Sequence, residues 1–212
     1  IFVWAIASDR IVEASLGYFI NPLLAVALGV VVLGERLRPA GVAAVALAAA
    51  GVAYLTLRLG EVPWVSLALA GSFAVYGLIK KRPEAAPPLE GLLGETVLAM
   101  VPALVFLLVI GGRGEGSFGD GAGLSLLLVA AGAVTAAPLL LFGAAAQRIP
   151  LSTVGLLQYL APSLQFALGV AVYGEEVVAD QLIGFAFVWV ALALFTIDNL
   201  RAARDPMAGP AG

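Results

Sequence analysis

The chain has 212 residues, of which 62% are hydrophobic and only 12% are charged, and it contains neither His nor Cys. A soluble domain carries about twice that fraction of charged residues, so the composition excludes a water-soluble enzyme and a disordered chain. The net charge of -3 leaves no excess of basic residues for binding nucleic acid. Without His and Cys there is no Cys/His zinc site, thiol nucleophile or Ser-His-Asp triad. We expect neither a metal nor a cofactor.

Long apolar segments follow one another along the chain and predict membrane helices, each of which needs about 20 apolar residues. Residues 1–7 would be the end of a helix whose beginning lies before Ile1. The segment 63–79 is the shortest and the most polar of those that follow. The other predicted spans, in chain order, cover residues 12–33, 39–57, 89–110, 122–146, 151–173 and 179–197.

The basic residues predict how this helix bundle is oriented, because Lys and Arg collect on the cytoplasmic side of a membrane. If the loop that carries Lys80, Lys81 and Arg82 is cytoplasmic, 8 of the 11 basic residues fall inside, and only Arg10, Arg58 and Arg113 fall outside. The same count places the C-terminus in the cytoplasm, and residues 200–212 are expected to form a loose cytoplasmic tail.

The chain contains an internal repeat, seen when it is shifted by 140 residues. Residues 16–35 then lie over residues 156–175 with ten identities in twenty positions, among them Pro22 with Pro162 and Glu35 with Glu175. Five predicted helices separate the start of one copy from the start of the next. Because five is odd, the copies should cross the membrane in opposite directions, which is the inverted repeat of many secondary transporters.

The repeat also predicts the domain organisation. Residues 63–199 hold a complete second repeat of five helices, whereas residues 1–58 hold only the C-terminal part of the first. We therefore expect an N-terminally truncated chain with about seven membrane helices and a partial one, taken from an all-α bundle of two inverted sets of five.

Three segments carry a family resemblance: residues 13–22 (EASLGYFINP), residues 33–36 (LGER) and residues 151–159 (LSTVGLLQY). They are similar to the RarD branch of the EamA family, in the drug/metabolite transporter superfamily. The resemblance implies a multi-pass carrier of the bacterial inner membrane with ten helices, two EamA repeats and a central cavity. It also suggests export.

The predicted helix 151–173 has a polar face, on which Gln158 and Gln165 lie at helical spacing with Pro162. The first copy presents Tyr18 on the equivalent face, with Asn21 beside it. Polar side chains at membrane depth normally face a cavity or the bundle interior. We predict that five residues line a substrate cavity: Tyr18, Asn21, Gln158, Tyr159 and Gln165. The alternative is that they only bond helices together, and that the prolines only kink them.

Two carboxylates lie within or beside predicted spans. Glu95 and Glu13 are candidates for proton coupling or cation binding; alternatively, each is an interfacial carboxylate favoured by the positive end of its own helix. The Gly-Glu pairs at Glu35 and Glu175 predict structural turns, in which Gly ends one helix and Glu opens the next.

The function predicted from these features is secondary transport. A permease or exporter would move small neutral or amphipathic organic metabolites or drugs by alternating access, with protons as the candidate coupling ion and the lipid bilayer as its surroundings. One alternative is a membrane protein of assembly or sensing that transports nothing. The other is a membrane-embedded enzyme, which needs converging acids or a nucleophile with its base; among the acids, only Glu95 lies at a suitable depth.

Overall fold

The computed structural model describes residues 1–8, 10–59, 63–174 and 179–204. Within these ranges every regular element is an α-helix, which confirms the predicted fold class. The helices, in chain order, are α1 Phe2–Ala7, α2 Ile11–Val31, α3 Pro39–Leu59, α4 Trp64–Lys81, α5 Pro88–Gly112, α6 Ala122–Arg148, α7 Leu151–Gln158, α8 Leu160–Tyr173 and α9 Ala179–Arg204.

Among the described residues, five helical segments are long and apolar enough to cross a membrane, and Ser15–Val31 is a shorter apolar helix. The segment predicted at 63–79 does form a helix, α4, but α4 is not one of the five. The five segments are Pro39–Arg58, Pro88–Gly112, Ala122–Arg148, Leu151–Val172 and Leu182–Arg201.

Two helix ends differ from the prediction. Helix α4 continues to Lys81, so the basic pair expected in a loop is helical. Helix α9 continues to Arg204, so the expected loose tail is helical over its first residues. In α4 the basic residues Lys80 and Lys81 occupy the last turn, where their charge interacts favourably with the negative end of the helix dipole.

The predicted helix 151–173 is interrupted at Tyr159, which separates α7 from α8. Pro162 has no backbone N–H, so the carbonyl four residues earlier loses its helical partner. At the break itself, the Tyr159 amide donates to the carbonyl of Leu156, three residues earlier, with an N···O distance of 3.2 Å. The Ser163 hydroxyl also donates to the Tyr159 carbonyl at 2.7 Å. Helix α2 carries Pro22 at the equivalent position and remains a single helix.

The chain divides into two compact units. One, called here the mixed unit, consists of Ile1–Ile79 together with Ile149–Gly212; the other, the α5–α6 unit, consists of Lys80–Arg148. The mixed unit thus combines helices from both copies of the sequence repeat.

Helices α3 and α9, which occupy equivalent places in the two copies, pack antiparallel in the mixed unit. Arg38, just before α3, is 3.3 Å from Asp198 near the end of α9, whereas Arg58, near the end of α3, is 2.8 Å from Asp180 near the start of α9. The opposite order of these contacts fixes the antiparallel direction.

Small residues allow α3 and α9 to approach closely. A Cβ at Gly51 would lie 2.8 Å from the Cβ of Phe187, and one at Gly184 would lie 2.6 Å from Leu55. Ala44 and Ala191 are fully buried. These four small residues form two pairs separated by 140 positions, 44 with 184 and 51 with 191.

Helices α2 and α7, another equivalent pair, are also antiparallel. The start of α7 contacts the end of α2, since a Cβ at Gly29 would lie 3.1 Å from the Ser152 amide. Just after the last residue of α7, the Tyr159 hydroxyl donates to the carbonyl of Phe19 at 3.0 Å. Antiparallel copies are what an inverted repeat requires; the five-plus-five arrangement of a whole protein stays a prediction.

The α5–α6 unit has a different character. No residue of α5 is buried, and in α6 only Gly143 and Ala146 are. A helix that is apolar on all sides suits lipid or a protein interior rather than water. This exposure supports the assignment of both helices as membrane spans.

Candidate functional site

The crossing of α2 and α7 brings two of the predicted site residues together. Asn21 Nδ2 donates a hydrogen bond to Gln158 Oε1. Asn21 is buried, with 6% of its surface exposed, whereas Gln158 is half-buried. Asn21 Oδ1 is also buried and has no hydrogen-bond partner among the described residues.

This pair of amides retains unused hydrogen-bonding capacity. Each amide has a carbonyl oxygen that accepts and an NH₂ group that donates, and a single hydrogen bond uses one group of each side chain. If both amides were turned over, the donor and acceptor would exchange places, yet one carbonyl and one NH₂ group would still lie outside the shared bond. An unsatisfied buried polar group costs about 1–3 kcal/mol. A polar solute that forms hydrogen bonds with the unused amide groups would remove this cost, so the crossing is suited to bind one.

The other predicted lining residues occupy different surroundings. Tyr159 is fully buried, and its hydroxyl is bound to the Phe19 carbonyl, so in this structure it links α7 to α2. Tyr18 is 43% exposed. Gln165 is exposed on α8 and forms no hydrogen bond with a described residue. The structure therefore brings Asn21 and Gln158 together but does not bring Gln165 to them.

An aromatic cluster that the sequence did not predict lies beside this crossing. The ring of Phe185 on α9 is 4.4 Å from that of Phe166 and 5.7 Å from that of Trp189, between ring centres. It also meets Phe19 edge-on at 4.9 Å. Trp189 Nε1 donates to the Ser163 hydroxyl at 3.1 Å. The aromatic rings thus pack against the residues that surround the α7–α8 break.

The candidate coupling carboxylate Glu95 has a cationic partner within the α5–α6 unit. Its Oε1 is 2.6 Å from Nζ of Lys80, whose side chain is only 6% exposed while that of Glu95 is 45% exposed. Lys80 was expected in a solvated loop, and its burial corrects that prediction. A lysine can bury its long apolar stem while its ammonium group reaches a carboxylate. The Glu13 side chain lies outside the described part of the chain.

Glu35 departs from the turn predicted for it. Gly34 does end its turn in the left-handed conformation, with φ +69°, as Gly174 does with φ +67°. Glu35, however, does not open α3, which begins only at Pro39. The other Gly-Glu carboxylate, Glu175, lies outside the described residues.

The Glu35 carboxylate instead caps the start of α7. Its Oε1 accepts from the amide of Leu151 at 2.6 Å and its Oε2 from the amide of Ser152 at 2.8 Å. A Cβ at Gly29 would lie 2.7 Å from Oε2, so a side chain there would displace the carboxylate. The four first amides of a helix lack intrahelical partners, and a carboxylate from the other copy satisfies two of them here.

A third polar contact ties the far end of α3 to α9. The Tyr54 hydroxyl donates to Asp180 Oδ1 at 2.6 Å and Arg58 Nε donates to Oδ2 at 2.9 Å. The Tyr54 hydrogen bond, followed by that of Arg58, lowers the pKa of Asp180 below its usual value. Among the described residues, no group of three acidic side chains converges as a metal site would require.

Comparison with known proteins places these helices in a family. Residues 62–197 match the EamA-like transporter family. The chain belongs to this family. Its apolar helices of membrane length and this membership make it a multi-pass membrane protein. No solved structure gives a significant match.

Curated bacterial proteins are similar over almost the whole chain. Protein RarD of Streptomyces exfoliatus is 50% identical over 96% of this chain and 65% of its own length. Protein RarD of Escherichia coli K12 is 45% identical over 96% of this chain and 69% of its own length. An uncharacterized transporter of Pseudomonas aeruginosa is 48% identical over 96% of this chain and 68% of its own length. The chain therefore spans about two thirds of the length of these relatives.

Proposed function

We propose that this chain forms part of a secondary transporter that moves small organic metabolites or drugs across the membrane by alternating access. The main observation in support is that the equivalent helices α2 and α7 cross antiparallel around the Asn21–Gln158 amide pair. Family membership and the relative named a transporter support the same function. Two inverted halves that rock around a site between them can expose it to either side in turn.

The chemistry of the crossing favours a neutral solute with both donor and acceptor groups. The polar groups bonded at the Asn21–Gln158 pair and the neighbouring Tyr159 are two amides, a hydroxyl and the Phe19 carbonyl, none of which is charged. A solute that carries a hydroxyl or amide could engage the Asn21 oxygen and the Gln158 NH₂ group at once. An ionic solute would have to give up its hydration without a countercharge. The proposed direction is export, as the family resemblance suggests.

Glu95 is the proposed coupling carboxylate, with protons as the coupling ion. Its bond to buried Lys80 supports this role, because a proton on Glu95 would remove the charge that faces the ammonium group. Because only Lys80 is buried and Glu95 is half-exposed, protonation would weaken the attraction between the two side chains and so the contact between the end of α4 and α5. Glu13 stays a second proposed carboxylate.

We propose that the protein lies in the bacterial inner membrane with its C-terminus in the cytoplasm. The excess of Lys and Arg on the predicted inner side supports this orientation. The chain has no native Cys, so Arg36→Cys can be labelled with an impermeant thiol reagent. Labelling from the cytoplasmic face is expected; labelling only from outside would reverse the topology.

The transport proposal is tested in proteoliposomes that contain the intact protein and labelled neutral solutes. We expect Gln158→Leu to slow flux by about tenfold, equivalent to about 1.4 kcal/mol, because the solute loses its amide partner. Thr135→Val is the matched control, since Thr135 is exposed on α6 and bonds only its own helix, at the Ala131 carbonyl. Equal flux in both variants and the unaltered protein would remove the site assignment. If the protein is correctly folded and none of the tested solutes shows saturable flux, the transport proposal itself is wrong.

A further inference from the structure

A cavity of about 390 Å³ opens at one end of the mixed unit, away from the amide pair. The turn between α2 and α3 forms one wall, and the first turns of α3 and α7 and the last part of α9 form the others. The polar residues that line it are Arg36, Arg38, Ser152, Thr153, Asp198 and Asn199, besides Glu35. No function described above uses this cavity.

The two acidic groups in the cavity wall already have partners. Glu35 accepts hydrogen bonds from two amides of α7, and Asp198 is paired with Nε of Arg38. Arg36 forms no ion pair with a described residue and is exposed. A guanidinium group has five N–H donors, so Arg36, together with the terminal NH₂ groups of Arg38, leaves donors in excess. A ligand that fits must therefore bring acceptor oxygens.

Helix geometry adds positive potential to the same cavity. Helix α3 begins at its wall, and the first turn of a helix carries the positive end of the helix dipole. The first amides of α7 already donate to Glu35, so the positive potential comes from α3 and from the arginines. The hydroxyl groups of Ser152 and Thr153 can donate as well. An arginine binds phosphate oxygens through forked, charge-assisted hydrogen bonds, and the volume accommodates such a group with part of the molecule that carries it.

We propose that this cavity binds a phosphate group, held chiefly by Arg36 and assisted by Arg38. Helix α2 ends and α3 and α7 begin beside it, and α9 passes it shortly before its own end, so in a membrane the cavity would lie at the level of the lipid headgroups. A phospholipid headgroup and a soluble phosphorylated compound both present this chemistry. The proposal does not depend on the transport function.

The test measures thermal unfolding of the intact protein in uncharged detergent. One arm adds inorganic phosphate against chloride at equal ionic strength, and the other adds phosphatidylglycerol to the micelles. Arg36→Gln removes the main donor without breaking an ion pair between described residues. Arg113→Gln is the matched control, because Arg113 is an exposed arginine at the end of α5 and outside the cavity.

We expect phosphate, phosphatidylglycerol or both to raise the unfolding temperature, and Arg36→Gln to weaken the apparent affinity by about tenfold while Arg113→Gln leaves it unchanged. A response to phosphatidylglycerol alone identifies a lipid headgroup as the source. A response to inorganic phosphate identifies a soluble one. The proposal is overturned if neither probe raises the unfolding temperature, or if Arg36→Gln binds as tightly as the control.

Discussion

The mixed unit and the α5–α6 unit are both built from apolar helices, yet different interactions occur within them. In the mixed unit, polar side chains of one sequence copy bond the other copy, as Glu35 and Asn21 do. In the α5–α6 unit, the hydroxyl groups of Thr96 and Thr135 bond only carbonyls of their own helices, and the ion pair of Lys80 with Glu95 joins residues of a single copy. Apolar content thus predicts that a helix enters the membrane, whereas glycines and polar groups determine which helices pack together.

The largest effect is expected from a side chain placed where the copies touch. In Gly155→Ala, the new Cβ would lie 2.7 Å from the carbonyl oxygen of Pro22 and 3.1 Å from the Cβ of Ala25. Because backbone cannot move aside easily, we expect a loss of about 1–3 kcal/mol, measured as a lower midpoint of thermal unfolding in detergent.

The control for Gly155→Ala comes from the α5–α6 unit. Gly132 is in the interior of α6, and a Cβ there would meet nothing within 4 Å. Because Ala is a better helix former than Gly, Gly132→Ala should be neutral or should stabilise by up to about 1 kcal/mol. Equal destabilisation by both changes would contradict the difference between the units.

An intermediate effect is expected when the cap on α7 is removed. Glu35→Ala leaves the amides of Leu151 and Ser152 without their carboxylate, and the loss of a helix cap costs about 0.5–2 kcal/mol. Glu35→Gln retains one accepting oxygen, so its unfolding midpoint should lie between those of Glu35→Ala and the unaltered protein. Glu115→Ala removes an exposed carboxylate from the loop after α5 and should change the unfolding midpoint little. A Glu35→Ala protein as stable as the Glu115→Ala protein would show that the cap contributes nothing.

The smallest effect is expected at the exposed contact between α3 and α9. Asp180 has a pKa lowered by the Tyr54 hydrogen bond and then by Arg58, so its carboxylate stabilises the folded state fully above its ordinary pKa of about 3.9. That contribution disappears as the pH falls through the lowered value. Asp180→Asn should therefore reduce the unfolding midpoint at pH 7, and its difference from the unaltered protein should shrink as the pH falls below about 3.9.

The pH series has its control in the α5–α6 unit. Asp120→Asn alters an exposed carboxylate in the loop between α5 and α6. If the stability difference between Asp180→Asn and the unaltered protein did not shrink as the pH fell below about 3.9, the hydrogen bonds to Asp180 would not be its cause. Added salt should also shrink the Asp180 effect, because an exposed ion pair is screened.

Most of the helices could be predicted from the sequence because membrane spans follow from apolar length alone. The break at Tyr159 was harder to predict: Pro22 and Pro162 occupy equivalent positions, but only the second helix is interrupted. The proline identifies where an interruption can occur, and the packing around it decides whether one does.

The candidate site was predictable only in part. The approach of Asn21 and Gln158 follows from the repeat, since both lie near the prolines of copies that face each other. The contact of Glu35 with α7 joins residues 116 positions apart, and no local pattern specifies it. The burial of Lys80 depends on Glu95 in the next helix, whereas the run of basic residues around it resembled a solvated loop.

The four small residues between α3 and α9 have a consequence for how such a contact changes through evolution. In a pair of identical antiparallel copies, every residue of the interface occurs twice, so a single substitution in the shared unit alters two contacts simultaneously. Once the copies are fused in one chain, each site can vary alone. Ala44 and Gly184 differ in identity but are both small, which is the property that a self-complementary pair of copies needs at that place.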